Sequence, residues 1–236
     1  MALQVWLPLN GTLENKGLSN VTVTNNGATV DNNGKIGKCY SFDGSANKKI
    51  TGTISPTITS SVGSIACWVR FNSFPNSSSF YELVHIGTSG GYAACLFGIY
   101  MEYTNHINIS INGSSTGTNC YTHSLSTNTW YHLCATLDGT TVKLYINGSE
   151  VLSKTATKAS YNTAASTVYI GGTTSYWLNG RINDVRIYDH TLSPKEVKEI
   201  SKGLILHYKL DGNDIGITIP RNGGLIPDGV ELYDYI

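Results

Sequence analysis

The sequence predicts an all-β fold: a two-sheet antiparallel jelly-roll sandwich with one short C-terminal helix. Three observations predict it. First, the chain holds 26 Thr, 24 Ser, 21 Asn and 25 Gly, all poor residues for a helix interior. Second, 40% of its residues are hydrophobic, with 15 Tyr, 5 Phe and 4 Trp spread along its length. That is too much apolar material for a disordered chain. Third, short alternating apolar runs are separated throughout by Gly- and Asn-rich turns, which is the signature of a sandwich built from many strands. About ten to twelve strands are expected by this pattern. A chain of 236 residues buries roughly 70–75% of its unfolded surface, so it folds without needing a disulfide or a metal.

The elements follow in order. LQVWLPL opens the chain, and KCYSFDG follows a Gly/Asn-rich turn. SIACWVRF places Ile65, Cys67 and Val69 on one face and Ala66, Trp68 and Arg70 on the other. FYELVHIG, AACLFGIYMEY and HINISING come next. WYHLCATLDG and TVKLYING form the clearest hairpin, turning at Asp138-Gly139, a pair that tolerates the positive φ of a tight turn. In its second strand Val142, Leu144 and Ile146 alternate with Thr141, Lys143 and Tyr145. Asn147-Gly148 makes the next turn, and STVYIGG and GRINDVRIYDH complete the set. One helix is predicted. Ser193 caps it, Pro194 takes its first position, and Glu196 completes a capping box. Leu192 and Val197 form a hydrophobic staple, and Gly203 ends the helix. Trp6, Trp68 and Trp130 lie within strands and are expected in the core.

Composition excludes several functions. Charged residues are 14%, and 16 Lys+Arg balance 16 Asp+Glu. Phosphate backbones and anionic membranes are bound through excess Lys and Arg, so neither nucleic acid nor a membrane surface is an expected partner. No run of 18 apolar residues spans a bilayer. MALQVWLPLNG lacks a basic start and an apolar stretch closed by small residues, so no signal peptide is expected. The five cysteines, Cys39, Cys67, Cys95, Cys120 and Cys134, form no CxxC pair. Buried free thiols are expected, with a disulfide as the other reading.

Residues 3–11 (LQVWLPLNG) are echoed by 204–212 (LILHYKLDG). The expected organisation is therefore one sandwich over 1–203. Residues 204–236 would be a linker or arm, the opening strand of a further module, or a strand pairing back onto the sandwich.

Five motifs, in order and spacing, resemble the concanavalin A-like, laminin-G-like jelly roll. They are FDG at 42–44, ACWVRF at 66–71, WYHLCATLDGTTVKLYINGSEV at 130–151, YIGG at 169–172 and NGRINDVRIYDHTLSPKEVKEI at 179–200. The resemblance implies two curved sheets of six or seven strands each. The ending LSPKEVKEISKGLILHYKLDG is similar to virion- or tail-associated proteins of phages and prophages. That implies a protein released by host lysis, reaching the virion or the extracellular space without an export signal.

Some relatives of this fold are glycoside hydrolases, whose chemistry needs two carboxylates flanking the scissile bond. The Glu-x-Asp-x-x-Glu pattern is absent, and Glu82 and Glu102 stand alone in their runs. The six histidines lack a G-x-S-x-G nucleophile elbow, and His132 is expected to pack or to bond backbone. Asp43 either holds its own turn or helps to ligate Ca²⁺, as loop carboxylates of relatives do. Asp184 either joins such a site or pairs with Arg181 or Arg186. No other cofactor is expected. The candidate ligand-binding residues are loop aromatics: Trp177, Tyr176, Tyr92 and Tyr161. A sugar offers an apolar C–H face to a ring and a polar rim to neighbouring Asn, Ser and Thr. The expected function is a non-enzymatic adhesion module of a phage virion or tail that recognises cell-surface carbohydrate, as a homo-oligomer whose weak sites gain from repetition. The alternative is a capsid or tail decoration or assembly domain; a glycoside hydrolase ranks third.

Overall fold

A computed structural model of the chain describes residues 2–58, 62–76, 79–88, 95–102, 106–111, 120–139, 141–155 and 165–203. Tyr92, Tyr161 and the expected linker at 204–236 lie outside the described residues.

Among the described residues fifteen strands form two antiparallel sheets. The strands are β1 (Leu3–Leu7), β2 (Asn20–Asn26), β3 (Thr29–Asp31), β4 (Cys39–Asp43), β5 (Lys49–Ile58), β6 (Gly63–Phe71), β7 (Phe80–Gly87) and β8 (Cys95–Glu102). Then come β9 (His106–Ile111), β10 (Cys120–Thr122), β11 (Trp130–Leu137), β12 (Thr141–Ile146), β13 (Ser149–Thr155), β14 (Ala165–Ile170) and β15 (Asn179–Tyr188). Helix α1 spans Pro194–Ile200. One sheet runs β13-β12-β11-β6-β15-β4-β3, with β1 also pairing to β15; the other runs β10-β9-β8-β7-β14-β5-β2. The first sheet thus has eight strands, one more than the resemblance implies. The extra one arises because β1 and β4 share the long β15: β4 takes its first half and β1 its second.

Period-two alternation explains the core. Ile65, Cys67 and Val69 of β6, Leu133 and Ala135 of β11, and Val142 and Leu144 of β12 face the second sheet. They meet Val84 and Ile86 of β7, Phe97 and Ile99 of β8, Ile107 and Ile109 of β9, and Val168 and Ile170 of β14. Asn147 and Gly148 take φ of +51° and +79°, the paired positive values a two-residue hairpin turn requires. Cys39, Cys67, Cys95 and Cys134 are buried free thiols. Desolvation pushes the Cys39 thiol up to about 11 and that of Cys67 up to about 12, so neither supplies a thiolate near neutral pH.

The tryptophans differ from expectation. Trp68 is buried, but on the outward face of the eight-stranded sheet; Trp6 and Trp130 are only partly buried. Strand parity is the reason: Trp68 alternates with Cys67 and Val69, which hold the inner face. That outward face is covered by α1. Its Val197 and Ile200 join Leu192, Ala66, Cys134, Tyr145 and Tyr188 in a second apolar cluster. The helix starts as its sequence predicts. The Ser193 hydroxyl accepts from the Glu196 amide, and the Glu196 side chain accepts from the Ser193 amide. Two turns would be marginal alone, so docking stabilises it.

His132 sits on the same face, 5.3 Å from the Trp68 ring and 2% exposed. Burial pushes its imidazole down to about 3, so it stays neutral while an unfolded chain protonates near 6.5. The folded pKa lies below the unfolded one. Stability is therefore complete above about pH 6.5 and is lost as pH falls toward 3, because the unfolded chain takes up a proton that the folded chain refuses. For His132 the loss is about 1.4 kcal/mol by roughly pH 5.5. The urea midpoint is expected to fall between about pH 7 and pH 5.5, and His132→Gln should remove about half of that dependence, because burial also lowers His123, to about 4, and it contributes a similar share. An unchanged midpoint would refute the assignment.

A candidate carbohydrate cleft at the sandwich rim

The β14–β15 connection carries Tyr176 and Trp177. Gly172 and Trp177 pair as an isolated bridge, the Thr173 amide donates to the Tyr176 carbonyl (3.0 Å), and the Leu178 amide donates to the Gly171 carbonyl (2.9 Å). A β-carbon at Gly172 would lie 2.8 Å from Trp177 Cδ1, so the indole rests directly on backbone. Two other segments are tied to this loop. Asn179 pairs with Asp43 at the end of β4, the Gly44 amide donates to the Leu178 carbonyl (2.9 Å), and the Asn72 amide donates to the Asn179 carbonyl (3.0 Å).

Together they enclose a cleft of about 300 Å³ lined by Asp43, Ser73, Asn76, Tyr81, Trp177 and Asn179, among others. Its polar wall is ordered by a chain of hydrogen bonds. Arg181 Nε donates to Asp31 Oδ2 (2.8 Å) and Nη1 to Asn72 Oδ1 (2.8 Å). Asn72 Nδ2 donates to Asn179 Oδ1 (3.0 Å), and Asn179 Nδ2 donates to Ser73 Oγ (3.1 Å), which lies 3.0 Å from Tyr81 Oη. Each amide is thereby held in one orientation. The indole N–H of Trp177 is buried and has no hydrogen-bond partner. The Arg181–Asp31 pair is consumed at the network's far end, so the cleft wall offers hydroxyls, amides, a ring and the exposed Asp43 carboxylate.

The candidates named by sequence separate. Trp177 lines the cleft, whereas Tyr176 turns to Phe80, their rings 5.0 Å apart. Both are partly buried. Asp43 Oδ1 accepts from the Ser45 hydroxyl and from the Ser45 amide (2.9 Å), and these bonds hold its carboxyl below the usual range. Asp184 pairs with Arg186 (3.0 Å) and accepts from Trp6 Nε1 (2.7 Å), while Arg181 pairs with Asp31. Among the described residues no group of three or more His, Cys, Asp or Glu is placed to hold a metal ion. Ser73, Asn76, Tyr81 and Asn179 were not singled out by sequence, because non-local pairing alone brings them to Trp177.

Residues 42–198 match a laminin G family model. The chain belongs to the concanavalin A-like lectin/glucanases superfamily. No curated protein matches the sequence. Among solved structures, this superfamily member resembles the receptor binding domain of the botulinum neurotoxin C/D mosaic serotype, with 18% identity and a TM-score of 0.68 over 87% of this chain and 52% of that one. It also resembles the botulinum neurotoxin serotype D binding domain, with 20% identity and a TM-score of 0.67 over 87% and 51%. A third is Domain 4 of AbnA, a GH43 extracellular arabinanase from Geobacillus stearothermophilus solved with arabinotriose, with 20% identity and a TM-score of 0.61 over 85% and 98%. The chain spans about half the length of the neurotoxin domains. At these identities the likeness establishes the concanavalin A-like fold.

Proposed function

We propose that the protein is a non-catalytic module that binds carbohydrate in the rim cleft. One observation carries this reading: the Trp177 ring, with its unpartnered N–H, stands in a cleft walled by Ser73, Asn76, Tyr81 and Asn179. The ring covers the apolar face of a sugar while hydroxyl and amide groups meet its rim. That the AbnA domain was solved with arabinotriose supports the same ligand class. The finer placement is an adhesion module of a phage virion or tail, homo-oligomeric and binding cell-surface glycans through repeated weak sites. It rests on the resemblance of the residue 192–212 segment.

Catalysis is disfavoured by the state of the acids. The register puts Glu82 of β7 and Glu102 of β8 on one face as diagonal neighbours, a correction to reading them as isolated. Glu82 is 4% exposed and lies 3.4 Å from His85, and Glu102 lies 3.7 Å from His106. Each carboxylate thus has a histidine nitrogen within 4 Å.

Glycan-array and calorimetric binding are expected to detect neutral oligosaccharides at Kd values of about 10 μM to 1 mM. Trp177→Ala should weaken binding at least tenfold while leaving the melting temperature within a few degrees. No binding to any glycan would overturn the reading. So would release of reducing ends that disappears in Glu82→Gln.

A further inference from the structure

The eight-stranded sheet turns Phe42, Val69 and Ile182 to the core, and the residues between them face outward, beside the part that α1 covers. The register sets Thr29 of β3, Ser41 of β4, Arg181 of β15, Arg70 of β6 and Trp130 of β11 in one outward row. Two arginines thus stand directly opposite each other, both partly buried. Cross-strand partners have β-carbons about 4.5–5.5 Å apart, and like charges at that distance are destabilising. Both guanidiniums also act on the Cys39 thiol in the adjoining row. One carboxylate serves the pair, and Arg181 takes it. Asp31 Oδ2 accepts from Arg181 Nε (2.8 Å), and Arg181 Nη1 is spent on Asn72 Oδ1 (2.8 Å). Arg70 has a backbone partner alone, the Asn128 carbonyl, which accepts from Nε (3.0 Å). Among the described residues, both terminal nitrogens of Arg70, Nη2 of Arg181 and the Ser41 hydroxyl have no hydrogen-bond partner, and Arg70 has no ion pair.

We propose that Arg70 and Arg181 hold an oxyanion (a carboxylate, sulfate or phosphate group), with the Ser41 hydroxyl as a further donor. The chemistry selects that class. An anion between two guanidiniums cancels their repulsion, and the planar fork of Arg70 matches two oxygens of one acidic group. The remaining charges of this face do not supply that anion. Asp184 and Arg186 hold each other, as do Lys143 and Glu150. Asp43, two residues beyond Ser41, accepts from Ser45 and lies in the field of Lys48. Burial keeps His132 a neutral imidazole and Cys39 a thiol near neutral pH. Lys35, with Nζ 4.7 Å over the ring of Trp68 in the adjoining row, adds a third cation. Arg70, Arg181 and Lys35 thus outnumber Asp31 and Asp43. The site shares no lining residue with the rim cleft, so it stands apart from the carbohydrate reading. The acidic group has two sources, a free inorganic anion or an acidic residue of a glycan.

The test uses the full 236-residue chain labelled with ¹⁵N-arginine. Its probes are sulfate, inorganic phosphate, trigalacturonate and neutral galactotriose, at one ionic strength set with chloride. At least one anion should shift the Arg70 and Arg181 Nε signals with millimolar affinity, and galactotriose should not. Arg70→Gln should weaken anion binding, read on the Arg181 signal, about tenfold, as loss of a charged hydrogen bond does. Asp31→Asn keeps an acceptor for the Asn33 amide and releases Arg181, so it should tighten binding about threefold or more. A merely structural role for Asp31 predicts weaker binding instead. If Arg70→Gln does not fold, Asp31→Asn decides alone. Trigalacturonate binding more tightly than sulfate and phosphate assigns the site to an acidic glycan; any other order assigns it to a free anion. No Arg70 shift with any anion, an affinity unmoved by Arg70→Gln, or weaker binding in Asp31→Asn would each overturn the site. Trp177→Ala should leave the anion affinity unchanged, so failure of rim binding alone would leave these shifts intact.

Discussion

Asp184→Ala is expected to lower the melting temperature by roughly 10 °C or more. Arg186 is 9% exposed, and its guanidinium is held by Asp184 through Nε (3.1 Å) and Nη2 (3.0 Å). Its side chain also lies 5.0 Å over the Trp6 ring, whose N–H donates to the same carboxylate. Removing the acid leaves a buried cation without its counter-charge, a change that costs about 3–5 kcal/mol. For a domain of this size each kcal/mol is about 2–4 °C. Backbone geometry offers a control. Asp184 has φ of +53° at the β15 bulge, a conformation that Asn also tolerates. Asp184→Asn keeps the geometry and an acceptor for Trp6 while losing the charge, so it should fall between wild type and Ala. Adding Arg186→Met to Asp184→Asn should recover stability relative to Asp184→Asn alone, since the stranded charge is then gone. A drop of under about 1 kcal/mol in Asp184→Ala would show that the pair is not the buried linchpin described.

Gly171→Ala should be nearly as damaging. The residue has φ of +74°, and a β-carbon there would lie 2.3 Å from the ring of Phe42, itself 0% exposed. Left-handed geometry costs an alanine about 1–2 kcal/mol, and overpacking adds about 1–3 kcal/mol. Gly203→Ala separates the two contributions. Its φ is similar, +79°, but its nearest neighbour, Ile36, is 3.6 Å away. The excess loss in Gly171→Ala is the steric part, read from paired denaturant melts. Equal losses in both variants would refute the contact with Phe42. Gly171 also adjoins the Gly172–Trp177 bridge, so surviving protein should bind glycan more weakly.

Local chemistry is what the sequence made legible. The Asn147-Gly148 turn, the Ser193/Glu196 capping box and the alternation in β6 and β12 depend on neighbours within a few residues, and each stands where the pattern places it. Trp177 was legible for a similar reason: a large aromatic in a Gly- and Ser-rich loop has few ways to be buried. The rest of the cleft was not, because Asp43, Ser73 and Asn179 meet only through pairing across β4, β6 and β15. The placing of His85 beside Glu82 was hidden by a bulge. Residues 82 and 85 would face opposite ways in a regular strand. The register shift between Glu82 and Val84 puts Leu83 and Val84 both in the core and returns His85 to the side of Glu82. A second irregularity, between Asn183 and Arg186, lets Ile182 and Val185 both face the core and so turns Asp184 and Arg186 to the outer side. Bulges leave no composition signal, so period-two reading fails where the unusual chemistry lies.

The pairing of β1 with the far half of β15 bears on how the domain is displayed. Leu3 lies opposite Tyr188, and the Ala2 amide donates to Asp189, whereas Asn179 at the other end of the same strand belongs to the cleft. Ten residues of strand separate them by about 30 Å. The cleft therefore sits at the opposite end of β15 from Ala2, so a group attached near Ala2 would leave the glycan-facing end clear.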